Sequence, residues 1–305
     1  MPSQDLQANS ANDLSASSWR DYLELCKPRV VLLMLLCATV GMFLATDSLV
    51  AFYLLLFTNL GIALVAGSAA SVNHIIDAQI DINMARTAQR PIAQGRVSVK
   101  SGILFSAVTG IAGMSILALL VNPLTAWLNL GSWIGYGIIY SAYLKRATPQ
   151  NIVIGGLFGA APPLFGWTAV TNQIDAGGVL LVMIIFTWTP PHFWALAIKY
   201  ADDYEAASVP MLPVLVSIRS TAIQMFGYSV VVIAFSLWFH VVAGTSFLYL
   251  TVALVGGVFF LWRTLGLLRR PNAVQAMKVF TFSIVYLGAL FIAIAIDVLV
   301  FGAVS

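Results

Sequence analysis

The chain has 305 residues, 60% of them hydrophobic and 9% charged, with a formal net charge of +3 and a mean hydropathy of +0.92. Soluble domains carry about 25% charged residues, so this composition excludes a soluble globular protein and reads as an all-α polytopic membrane protein. Cys26 and Cys37 sit on one expected helix, about 16 Å apart by rise, too far for a disulfide that needs Cα atoms within about 7 Å, and no Cys/His cluster has zinc spacing.

Residues 1–19 are polar and acidic, without the basic start of a secretory signal or the arginines of a transit peptide, and are expected to form a disordered cytoplasmic tail. Residues 20–305 are expected to form one transmembrane domain. A bilayer core needs roughly 20 apolar residues per helix. Nine stretches qualify: 30–46, 49–72, 101–121, 124–144, 151–171, 177–198, 221–243, 245–265 and 279–300. Turn signals such as "VNPLT", "TNQIDAGG" and "VAGTS" separate them. Pro162 and Pro163 lie inside the fifth stretch and predict a kink there. With nine spans, all fifteen Lys and Arg fall on one side, which places the N-terminus in the cytoplasm and the C-terminus outside.

The acids concentrate at two places on that basic side. After the second span comes "NHIIDAQIDINMARTAQRP", residues 73–91. Asn73, Asp77 and Asp81 recur every four residues and share one stripe of a helix. Like charges at that spacing repel unless a cation sits between them. An amide and two carboxylates are hard oxygen donors that suit Mg²⁺, which commonly binds through carboxylates plus substrate phosphates. Arg86 and Arg90 follow, again four apart, and arginine is suited to two-pronged phosphate binding. Together these residues imply a phosphorylated substrate bound through Mg²⁺.

The second place is "IKYADDYEAASVPMLPVL", with Lys199, Asp202 and Asp203 at the end of the sixth span. A carboxylate pair facing the first would bracket a diphosphate. Four residues before Asp203 stands Lys199 instead of an acid, so Lys199 is expected on phosphate or paired with Asp203.

The first motif resembles the signature of the UbiA superfamily of intramembrane prenyltransferases. "YLKRATPQNIVIGGLFGAAPPLFGW", "PPHFWALAI" and "DDYEAASVPMLPV" narrow the resemblance to the heme-farnesylating branch, over about residues 20–300. The resemblance implies nine helices around a central cavity opening to the cytoplasm, in a bacterial inner membrane. It implies farnesyl diphosphate held through Mg²⁺ on Asn73, Asp77, Asp81, Asp202 and Asp203, with Arg86, Arg90, Lys199, Lys145 and Arg146 on phosphate oxygens. Asp77, Asp81 and Asp203 then support catalysis. The implied acceptor is heme b, farnesylated at a vinyl group with addition of water to give heme O. Downstream partners would be a heme-modifying enzyme or terminal-oxidase assembly factors.

Within that frame His192, inside the cytoplasmic end of span six, is a candidate for heme contact, since imidazole is a common iron ligand. Asn151 is a candidate for the cavity mouth. Tyr140 and Tyr143 are candidates to line the prenyl entrance or stabilise a cation through their π-faces. His74 and His240 are weaker candidates for the same heme-side chemistry. Two other readings fit part of the pattern: a superfamily member with an aromatic or quinone-precursor acceptor, and a secondary transporter, which would need polar groups reachable from both faces.

Overall fold

A computed structural model describes residues 17–46 and 48–301. Most of the expected tail, together with Asp47, lies outside the described residues. At the tail's end, Ser18 already caps a helix through a reciprocal capping box with Asp21.

The described chain is helical throughout. A short helix α1 (Trp19–Leu25) turns by 53° into α2 (Pro28–Leu44) at Lys27, whose φ of 52° is left-handed. For a residue with a Cβ that conformation costs roughly 1–2 kcal/mol, so the elbow must be held by contacts elsewhere. Then come α3 (Phe52–Ile82) and α4 (Val99–Ile116), which ends in a π-helical turn Leu117–Val121. Helix α5 (Pro123–Trp133) widens into a π-helix over Ile134–Leu144. The expected kink at Pro162 appears as a break between α6 (Asn151–Gly159) and α7 (Pro162–Thr171).

Helix α8 (Ala176–Lys199) runs without interruption through Pro190 and Pro191. Two short helices, α9 (Ala201–Ala206) and α10 (Leu212–Leu215), lead to the long helices α11 (Ile218–Ala243), α12 (Phe247–Arg269) and α13 (Ala273–Phe301).

Among the described residues seven helical segments, with α6 and α7 together as one, are long and apolar enough to cross a membrane, or eight if α1 and α2 count as one bent span. Nine were expected. Residues 123–144 form the expected rod, but Thr125, Asn129, Ser132, Tyr136, Tyr140 and Ser141 interrupt its apolar run. Exposed leucines, valines and isoleucines cover the outer faces of the helices, as a lipid-facing surface requires.

The helices pack as two groups. One joins α2 to α7; the other joins α8, α11, α12 and α13 around the largest apolar cluster. Helix α13 also touches α2, so the two groups meet on both sides. Helices α2 and α7 approach so closely that a Cβ at Gly41 or Gly166 would overlap the carbonyl oxygen of Pro163 or Ala38. Two concavities are a groove of about 470 Å³ against Trp19, Tyr22, Leu23, Cys26 and Phe105, and one of about 210 Å³ near Trp167 and Asp175.

Candidate active site

Helix α3 has no glycine or proline after Gly67, so it continues past its apolar run and carries the polar stripe within the bundle. Asn73, Asp77 and Asp81 are only 3%, 1% and 1% exposed. Buried carboxylates need partners, and three cations from different parts of the chain reach the stripe.

Lys27, at the α1–α2 elbow, donates from Nζ to Asn73 Oδ1 at 2.6 Å and to the Tyr136 hydroxyl at 3.2 Å. These bonds help to hold the left-handed turn. Asn73 Nδ2 in turn donates to Asp77 Oδ2 at 2.8 Å and to Ser141 Oγ at 2.9 Å. Lys145 Nζ donates to the same Asp77 oxygen at 2.7 Å. Asp81 accepts on both oxygens from one nitrogen of Arg90, at 2.8 and 2.7 Å. Each carboxylate therefore has its own counter-ion, which offsets their repulsion across one helical turn.

The spacing of Arg86 and Arg90 suggested two arginines on one helical face. Instead, α3 ends at Ile82 and the chain makes successive turns from Asn83 to Val97. Thr87, buried in these turns, donates to the Asp81 carbonyl at 3.3 Å. Arg90 is thereby folded back onto Asp81, while Arg86 is exposed. Arg146 is also exposed and donates to the Ile76 carbonyl at 3.2 Å.

Tyr140 stacks on Tyr136 with centroids 5.6 Å apart, and Asp77, Arg86 and Tyr204 lie around it. The wide π-helical turn brings residues four apart nearly into register. The same geometry turns Tyr143 outward, 67% exposed, away from the stripe. Asn151 is fully buried; its Nδ2 donates to the Thr148 carbonyl at 2.8 Å and its Oδ1 has no partner.

The second acidic segment differs. Asp202 and Asp203 lie on α9, which packs on α8 and α10. Neither makes an ion pair or side-chain hydrogen bond among the described residues. The expected Lys199–Asp203 pair does not form; Lys199 is exposed and lies over the Tyr200 ring at 5.3 Å. Among the described residues no three of His, Cys, Asp and Glu gather as a metal-ligand cluster. Tyr204 of the second segment lies within electrostatic reach of Tyr140.

Asp77 nevertheless fits a hard cation. Its Oδ1 is buried without a partner, and a bare carboxylate oxygen is the hard donor that Mg²⁺ takes alongside substrate phosphates. Both oxygens of Asp81 are engaged by Arg90.

The histidines separate clearly. His240 bonds Thr245 through Nδ1 at 2.9 Å, far from the stripe. His74 is buried near Lys27 and Arg90 with neither ring nitrogen partnered. His192 lies between Trp188 and Phe280 and bonds Ser283. Lys27, Tyr136 and Ser141 are the site residues that sequence reasoning missed. Asp297 accepts from Ser246 N at 2.8 Å and from Ser246 Oγ, and so holds the residue that caps α12.

A bundle of membrane-crossing helices with one buried carboxylate–amide stripe, set among lysines and arginines at one end, has the architecture of an intramembrane enzyme acting on an anionic substrate. The chain belongs to the UbiA prenyltransferase family, matched over residues 34–295.

It is 54% identical to the protoheme IX farnesyltransferase of Stutzerimonas stutzeri over 92% of this chain and 94% of that protein. It is 52% identical to that of Teredinibacter turnerae, over 93% and 91%. It is 54% identical to that of Legionella pneumophila, over 92% and 95%.

Among solved structures, one of digeranylgeranylglyceryl phosphate synthase matches with a TM-score of 0.79 at 18% identity, over 91% of this chain and 97% of that one. A UbiA homolog from Archaeoglobus fulgidus bound to GPP and Mg²⁺ matches with a TM-score of 0.65 at 16% identity, over 90% and 99%. At these identities the likeness is one of fold.

Proposed function

We propose that the chain transfers the farnesyl group of farnesyl diphosphate to a vinyl group of heme b, with addition of water, giving heme O and diphosphate. The names of the three relatives support the acceptor. The observation that carries the chemistry is the buried Asn73–Asp77–Asp81 stripe with Asp77 Oδ1 left open.

The allylic C–O bond breaks and its electron pair leaves with the diphosphate. The farnesyl cation then adds to the vinyl group, and water supplies a hydroxyl to the resulting porphyrin-side cation and loses a proton. Mg²⁺, held by Asp77 and Asp81 with Asn73 beside them, would neutralise charge developing on the leaving group.

The cations of this chain do the rest. Lys145 and Lys27 stand at the stripe, and Arg90 passes from Asp81 to phosphate oxygens. Arg86, Arg146 and Lys199, all exposed, draw the diphosphate to the mouth. Asp203 and Asp202 complete the grip from the second segment. Tyr140, stacked on Tyr136 near Asp77, offers a π-face to the cation. Asn151 and His192 belong on the acceptor side.

In the membrane, residues 123–144 add a further crossing to give nine. The N-terminus then lies in the cytoplasm, the C-terminus lies outside the inner membrane, and the site opens to the cytoplasm. Heme O passes to a heme-modifying enzyme or to oxidase assembly.

Purified protein incubated with heme b, farnesyl diphosphate and Mg²⁺ should yield a heme heavier by one farnesyl group and one hydroxyl on mass analysis. Unmodified heme, with prenylation of a phenolic or quinone precursor instead, overturns the acceptor.

A further inference from the structure

Helix α8 places His192 directly after Pro190 and Pro191, facing α13. Its imidazole is clamped on both faces. Trp188 stacks at 4.2 Å with an interplanar angle of 19°, and Phe280 at 4.5 Å with 23°. A ring held this way offers only its edge.

One edge is committed. Nδ1 lies 2.8 Å from Ser283 Oγ, and Ser283 Oγ lies 2.7 Å from the Phe280 carbonyl of its own helix. A serine hydroxyl has one hydrogen. Both contacts are hydrogen bonds only if that hydrogen goes to the carbonyl and Nδ1–H donates to the serine oxygen. Ser283 is fully buried, so no solvent competes. Trp188 Nε1 donates to the Ser283 carbonyl at 2.7 Å and locks the same residue from a second direction.

The neutral tautomer is therefore fixed, with the lone pair on Nε2. That nitrogen has no partner among the described residues, and unlike the ring nitrogens of His74 it is not sealed in. One N–H anchored and the other nitrogen bare is how metal-ligating histidines are prepared.

We infer that Ser283 is a positioning residue that presents His192 Nε2 as an axial ligand to the iron of the porphyrin substrate. This rests on the heme reading proposed above.

The test is optical and electron-paramagnetic titration of purified protein with heme b. Wild type should show a histidine-ligated spectrum. His192→Gly should lose it, and added free imidazole should restore it. Ser283→Ala should shift the spectrum and weaken heme binding about tenfold or more, whereas Ser283→Thr should retain both. Binding of farnesyl diphosphate and an unchanged elution profile serve as folding controls. A wild-type spectrum in His192→Gly overturns the inference while leaving the proposed reaction standing, as does Ser283→Ala with unaltered spectrum and affinity. A wild-type protein that binds no heme b overturns both.

Discussion

The two acidic segments look alike in sequence and are built differently. The stripe on α3 is sealed in the bundle and cross-linked by Lys27, Lys145 and Arg90, drawn from three separate parts of the chain. The segment on α8 and α9 stands at the surface with its carboxylates and Lys199 unpaired among the described residues. Buried charges act in a low-dielectric setting, where each is strongly felt and each deletion is costly. Exposed ones are screened by salt over about 8–10 Å. The difference points to a division of labour, with the α3 stripe holding the reacting diphosphate and the α9 segment contributing at the rim.

That division is broken most severely at Asp77. Asp77→Ala should reduce turnover to background. It also strands buried Lys145, a loss of about 3–5 kcal/mol, which a thermal melt in detergent would register; Asp77→Asn keeps an acceptor oxygen for Lys145 and should cost less stability while losing activity just as fully. Next comes Lys145→Met, with turnover expected to fall about 100-fold, the scale for removing one donor aimed at developing negative charge.

Arg90→Lys tests the link between Asp81 and phosphate. Lysine keeps the charge but not the fork, so KM for farnesyl diphosphate should rise about tenfold with a smaller change in kcat. Smallest is Lys199→Ala, for which steady-state kinetics should show a change of a few-fold in kcat/KM that shrinks as salt is added. If Lys199→Ala cost as much as Lys145→Met, the two regions would be equals after all.

Much of this was legible in the residues, and the exceptions have physical reasons. The Asn73–Asp77–Asp81 stripe follows from helical period alone. The break at Pro162 follows from a missing amide hydrogen and a fixed φ. Lys27 was passed over because its partners lie 46 and 109 positions away, and no local pattern encodes that distance. The four-residue spacing of Arg86 and Arg90 assumed a helix, whereas the chain turns back at Asn83 and sets Arg90 alone against Asp81. Tyr136 replaced Tyr143 beside the stripe because the π-helix changes which residues share a face. Ser283 is one of many serines in apolar helices, and only its contact with a histidine 91 positions away distinguishes it.

The central claim is that Asp77 anchors a divalent cation under the diphosphate. Mn²⁺ can stand in for Mg²⁺ in an electron-paramagnetic titration of purified protein with farnesyl diphosphate present. Wild type and Lys199→Ala should sequester Mn²⁺, and Asp77→Asn should leave it free in solution. Retention of wild-type Mn²⁺ binding by Asp77→Asn would contradict the account.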